Sequence, residues 1–157
     1  FSAKYLSKDY DINDLGTIFY TNYHAVYTEN SYRIVNPTKT FNTFKITHSI
    51  NIERQNTTKK TQEAWYQISS KATTLKNHYL EFQFQINPLD RFDFYEPRSY
   101  GSYVYKPKSI IGYGQFYSDE TRPFHYEIQL STEKFDENNR NSYSLYGGAK
   151  YRFNDKF

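Results

Sequence analysis

No cysteine and no methionine occur among the 157 residues, tryptophan appears once, and proline and glycine are sparse at five and six. Without cysteine there is no disulfide framework, no thiolate metal site and no thiol nucleophile, although the compartment stays open. Long hydrophobic runs are also missing. No stretch approaches the roughly 20 consecutive apolar residues of a helical span, so a helical membrane protein is excluded. Nor does one charge dominate: 20 Lys and Arg stand against 17 Asp and Glu, a net +3, with the basic residues scattered. A nucleic-acid partner gains no support from that pattern. The chain opens on Phe1 with no charged and apolar leader. The expectation is an excised piece whose export signal is absent or already removed.

What the chain does have is aromatic residues, 18 Tyr and 13 Phe, making up 20% with the tryptophan. A disordered polar chain does not carry that many. Tyr and Phe favour strands, and nothing in the length forces more than one domain.

Period-two alternation recurs along the whole chain and marks half-polar strands. It starts in 1–6 and, after the turn-rich SKDYDINDLG, resumes over 17–34, where Phe19, Tyr23, Ala25 and Tyr27 share a face. Asn36 and Pro37 end that strand, since proline cannot donate to a ladder. In 41–54, Phe44, Ile46, Ile50 and Ile52 oppose Lys45, Thr47, Ser49, Asn51 and Glu53, and 62–73 repeats the pattern. The clearest case is 78–87, with Leu80, Phe82, Phe84 and Ile86 against Glu81, Gln83, Gln85 and Asn87. Further strands are predicted over 110–117, where Gly112 and Gly114 leave room for large neighbours, over 124–133 and over 142–153, and Phe157 opens another.

Between these segments, connections read as long at 7–16, 55–61, 88–109 and 135–141 and short at 36–40, 75–77, 119–123 and 154–156. Strands of about ten residues with one apolar face, joined alternately by short turns and long loops, are the signature of outer-membrane barrels. The expected fold is therefore all-β: an antiparallel up-and-down transmembrane β-barrel of about eight strands over 1–157, cut at both ends and thus a segment of a larger barrel. The expected place is the bacterial outer membrane, with the lipid bilayer as first partner. Leu80, Phe82, Phe84, Ile86, Tyr126, Ile128 and Leu130 then face lipid, and Glu81, Gln83, Gln85, Glu127 and Gln129 face inward. The alternative is a soluble, secreted all-β binding domain whose apolar face is core.

The segments FDFYEPRSYGSYVYKP and SIIGYGQFYSDETRPF, with DYDINDLG and RIVNPTKTFNTF upstream, resemble the barrel region of the domain of unknown function 5916 family. The resemblance covers nearly the whole chain. It rests on Asn13, Asp14, Leu15 and Gly16, on Tyr95, Glu96, Pro97, Arg98 and Gly101, and on Ser118, Asp119 and Arg122. It implies an outer-membrane protein of the Bacteroidota kind, in which a sandwich similar to family-nine carbohydrate-binding modules precedes the barrel and further strands follow. It implies no established catalytic residue.

Two places carry candidate sites. In 88–109, Tyr95, Glu96, Arg98, Tyr100 and Tyr103 combine aromatic platforms with charged anchors, as ligand sites do; a glycan or a peptide is the expected ligand. The plainer account has Glu96 and Arg98 pairing to hold the loop while the tyrosines form an interfacial girdle. Asp9, Asp11 and Asp14, with Asn13, resemble the oxygen ligands of a calcium loop. Asp14 nevertheless stands where an EF-hand needs glycine, and Tyr20 where it needs a bidentate acid, so an Asx-type turn competes. His24, His48, His78 and His125 show no ligand spacing, and Ser49 and His48 point to opposite strand faces, which rules out a nucleophile pair. The expected function is non-enzymatic and cofactor-free: surface binding, or passage of a polar solute such as a glycan, with other outer-membrane proteins or lipoproteins as possible partners. A barrel hydrolase ranks behind both binding readings.

Overall fold

The structure, a computed structural model, describes residues 1–10, 21–97, 99 and 101–153. Its regular elements are β1 (Ser2–Leu6), β2 (Tyr23–Ile34), β3 (Phe41–Gln55), β4 (Thr61–Thr74), β5 (Tyr79–Asn87), β6 (Arg91–Asp93), β7 (Val104–Lys106), β8 (Ser109–Tyr117), β9 (Phe124–Phe135) and β10 (Asn141–Tyr151). All are strands. No helix among the described residues is long and apolar enough to cross a membrane, which says nothing about crossing with strands.

Eight strands form one antiparallel meander in the order β1-β2-β3-β4-β5-β8-β9-β10, and β6 and β7 make a separate two-stranded ribbon within the longest connection. The sheet is open: among the described residues β1 and β10 do not pair. Strands expected from alternation are found within a residue or two of their places. The exceptions are β2, whose described part starts at Tyr23 rather than Thr17, and the ribbon, which was not foreseen. Expectations for 17–20, 154–156 and Phe157 fall outside the described residues.

Register shows why the alternation matters. Phe82 lies opposite Ser70 and Gly114, Gly114 opposite Leu130, and Leu130 opposite Leu145, all on one face. On the other face Glu81 lies opposite Lys71 and Gln115, Gln115 opposite Gln129, and Gln129 opposite Tyr146. Lys71 and Glu81 are ion-paired at 3.0 Å. A Cβ on Gly114 would sit at ordinary contact distance, 3.7 Å, from the Phe82 ring, so that neighbour does not require a glycine; on Gly112 a Cβ would come within 3.3 Å of Thr132 Cγ2, a tighter fit. Tyr23, Ala25 and Tyr27 do share a face, but it is the polar one, in line with Gln55, Glu53 and Asn51.

The buried hydrophobic set among the described residues is small, Tyr23, Ala64 and Ala72, while Phe82 and Leu130 are 58% and 55% exposed. The apolar face is thus an uncovered surface rather than a packed core. It also slants. On β3 it runs from Phe44 to Ile52; on β9 it runs from Phe124 to Leu130, followed by Thr132 and Lys134. Through the ladder Leu130 aligns with Ile46, and Ile128 with Phe44. From β3 to β9 the band therefore slides toward the 118–123 turn by about four to six residues. At about 3.3 Å per residue and about 4.8 Å between strands, that is a slope of roughly 40° to the ladder direction.

The sorting of loops is only partly as expected. Strand alternation does put 7–22, 56–60, 88–108 and 136–140 at one end and 35–40, 75–78 and 118–123 at the other. Of the connections other than 7–22, whose middle lies outside the described residues, only 88–108 is long, however. The connections 56–60 and 136–140 are tightened because β3, β9 and β10 extend into them, closing on Lys59 and Asn139 at positive φ with Gln55 N–H bonded to the Lys60 carbonyl.

Candidate functional site

The long connection does not extend away from the sheet; it folds back onto the polar face. The cause is a chain irregularity and a set of polar side chains beneath it. Between β3 and β4 the register slips at Glu53/Arg54, so that Glu63 lies opposite Glu53, Thr61 opposite Arg54, and Gln62 is the extra residue. Such bulges re-aim side chains. Here the Gln62 amide points among the polar-face groups and is only 2% exposed.

Its Nε2 donates to Glu53 Oε1 at 2.8 Å and to the Tyr95 hydroxyl at 2.5 Å, while the Tyr95 hydroxyl donates to Glu53 Oε1 at 3.0 Å. Burial, and then the Glu53 carboxylate, push the Tyr95 phenol far above its ordinary value, so it acts as a donor at any physiological pH. Like charges directly across a ladder are unfavourable. Glu53 is held by this pair of donors, and Glu63 faces Arg91, Nη1 to Oε2 at 3.9 Å.

Arg91 leads to a second buried group. Its Nη2 and Asn87 Nδ2 donate to Ser109 Oγ at 3.2 and 2.7 Å, and Ser109 donates to Glu133 Oε1 at 2.9 Å. These bonds tie the entry and exit of the long connection to β9. Asp93, in the ribbon, organises the next turn. Its Oδ1 accepts the N–H groups of Tyr95 and Glu96 at 2.9 and 3.0 Å, and its Oδ2 meets Lys106 Nζ at 2.7 Å. Burial acts to raise Asp93, but Lys106 and the two N–H groups outweigh it and hold the carboxyl below its ordinary value. Burial likewise opposes the charge on Lys106, and Asp93 and Glu96 overcome it, so Lys106 is raised. From the β3–β4 turn, Lys60 Nζ lies 3.8 Å from the Tyr103 ring centre and 4.3 Å from that of Phe92 in the ribbon. This cation–π contact pins the loop's aromatic cluster to the β3–β4 turn.

Between the loop and that turn lies a cleft of about 430 Å³. Gln62 and Tyr95 line it beside Phe94, Ser99 and Gly101 from the loop and Asn22, Gln55, Thr57 and Thr58 from the wall.

The candidate ligand residues separate accordingly. Tyr95 is an anchor for the loop as well as a cleft residue. Glu96 pairs with Lys106 at 3.2 Å, a lysine that sequence reasoning passed over. Tyr103 packs against Phe92 and Phe94, with ring centres 5.2 and 5.4 Å away. Arg98 and Tyr100 lie outside the described residues, as do Asp11, Asn13 and Asp14. Of the calcium set only Asp9 is described, exposed in a turn after β1. Among the described residues no group of three acidic, histidine or cysteine side chains is placed to hold a metal ion. The histidines stay apart: His24 meets Asn56, His48 meets Tyr66, and His78 Nδ1 accepts the Asp119 N–H. Glu53, Gln62, Asp93 and Lys106 were missed because each looks like an ordinary polar strand or loop residue until the bulge and the folded-back loop bring them together.

No curated protein and no solved structure matches the chain. One family, described as Domain of unknown function (DUF5916), matches residues 1–157, and with its whole length covered the chain belongs to that family.

Proposed function

We propose that the chain is a segment of a transmembrane β-barrel in the bacterial outer membrane. In this reading its apolar face meets lipid, its polar face lines the interior, and its long loop covers the outer mouth. The role is non-enzymatic: binding a polar solute such as a glycan at the surface, or passing one through. The observation that carries this is the slanted apolar band. A band inclined by roughly 40° to the ladder is what a level hydrocarbon layer leaves on strands tilted by about 35–45°, as outer-membrane strands are. A soluble sandwich would instead cover Phe82, Phe84, Ile128 and Leu130 with a second layer, and all four are exposed among the described residues.

Orientation supports the surface role. The long connection 88–108 leaves the sheet at the same end as 56–60 and 136–140, and longer loops belong outside. A cysteine in place of Ser99, in intact cells making the full-length protein, is expected to react with a membrane-impermeant maleimide. Labelling only after the outer membrane is breached would reverse the orientation and remove the surface-binding role.

A further inference from the structure

The apolar face of the sheet is broken by polar side chains where β2 and β3 meet. On β3 that face reads Phe44, Ile46, His48, Ile50 and Ile52; on β2 it reads Val26, Thr28, Asn30, Tyr32 and Ile34, since Val26 lies opposite Ile52 and Ile34 opposite Phe44. His48 is therefore the middle member on β3, with Asn30 directly across from it, and both are exposed. Around them Val26, Ile50 and Ile52 are exposed large apolar side chains. On β5 the same face runs through Leu80, Phe82, Phe84 and Ile86 without such a break. Every residue of the patch belongs to a described strand, and Asn30 stands roughly 23 Å along β2 from Tyr23, where that strand begins.

The patch carries hydrogen-bonding capacity that the chain does not use. His48 Nδ1 and the Tyr66 hydroxyl are bonded at 2.7 Å, and Tyr66 is held on this face between Ile50 and Ile86. If Nδ1 carries the proton, Nε2 is an acceptor; if it does not, Nε2 is a donor. Among the described residues neither Nε2 nor the Asn30 amide has a hydrogen-bond partner. Water would satisfy both groups. A hydrocarbon layer satisfies neither, and polar side chains at that depth are held by partners that can hydrogen-bond.

The layer also restricts the partner. It must present donors and acceptors near the middle of an otherwise apolar face, at the depth of Asn30 and His48. A second copy of this chain, inserted the same way round, does so by construction. An amide offers both a donor and an acceptor, so Asn30 of one copy can meet His48 of the other in either tautomer. A two-fold axis along the membrane normal brings the same patch of each copy to the other, the isologous arrangement of most dimers.

We infer that the β2–β3 face is the contact between two copies of this chain within the membrane. Asn30 of each copy is bonded to His48 Nε2 of the other, with the surrounding isoleucines packed around the pair. The inference rests on the barrel reading, and it adds the partner and the place.

The test uses the full-length protein in outer membranes, with any cysteine outside residues 1–157 replaced by serine. Tyr32→Cys, on the same face beside Asn30, is expected to give a covalent species of twice the chain mass with a short bis-maleimide. Leu130→Cys, on the same face at β9, is not. Asn30→Leu combined with His48→Leu should weaken self-association about tenfold or more, while a retained heat-modifiable mobility shows that the barrel is intact. Should the double variant fail to fold, Asn30→Leu alone is read in the same way beside the Tyr32 and Leu130 comparison. Equal cross-linking at Tyr32 and Leu130, an adduct of any other mass, or association undiminished by loss of the polar side chains would each overturn the inference. A monomeric, heat-modifiable protein in the membrane would overturn this inference alone. A protein that leaves the membrane without detergent would take the barrel reading down with it.

Discussion

At the scale of single residues, two neighbours on β5 separate the faces most sharply. Phe84 lies opposite Ile68 and Gly112 on the apolar face, and Gln83 lies opposite Ser69 and Tyr113 on the polar one. Phe84→Arg, within the band, should cost about 2 to 4 kcal/mol if it reaches the midplane, and Gln83→Arg far less. Urea-driven unfolding of the full-length protein from lipid vesicles reads both, and equal tolerance would argue against a lipid-facing band. Tyr95 offers a different contrast. Tyr95→Phe keeps the ring but removes a hydroxyl that donates to Glu53 and accepts from Gln62. Leaving buried polar groups short of a partner costs about 1 to 3 kcal/mol, so amide exchange over 91–106 should accelerate while the sheet stays protected. An unchanged loop would mean that the ribbon and Lys60 hold it without this network.

At the scale of elements, the ribbon's ion pair gives the loop a pH signature. Asp93 is held below its ordinary 3.8, so its contribution is complete above that value and is lost as pH falls through the lower, folded value. Lys106 is raised above its ordinary 10.5, so its contribution is complete below 10.5 and is lost as pH rises through the folded value. Docking of 91–106 should stay constant across neutral pH and loosen only below 3.8 or above 10.5. Amide exchange corrected for intrinsic rates would show this, and Asp93→Asn should abolish the acid limb. A loop that loosens near neutral pH would point to another group. This element also marks where the sequence stops being legible. Strands such as 79–87 and 124–135 were readable because period two is written in adjacent residues. The β6–β7 ribbon joins three residues to three others across the loop, too short for periodicity to register. Gln62 reads as a polar strand residue, since a bulge has no local code of its own. Lys106 was overlooked because Glu96 had a nearer cation in sequence, Arg98.

At the scale of the whole molecule, the open sheet sets the last expectation. β1 covers β2 only from Tyr23 to Tyr27, so the far half of that edge, to Ile34, has no ladder partner among the described residues. Among the described residues the outer edge of β10 has no ladder partner, and the strand carries Tyr143 and Leu145 at 78% and 73% exposure. Long, flat, apolar edges template further pairing, and natural sheets shorten, charge or cover them, or close into barrels. β10 is neither short nor strongly charged, so its edge is a template of that kind. Combined with the exposed apolar face, these edges should make residues 1–157, produced alone without detergent, associate rather than remain monomeric. Static light scattering after gel filtration would measure it, with the full-length protein in detergent for comparison, expected to be monodisperse and heat-modifiable in electrophoretic mobility. A monomeric, cooperatively melting 1–157 in plain buffer would show that both edges and the apolar face are tolerated in water. The slanted band would then need an explanation other than a membrane, and the barrel reading would fall.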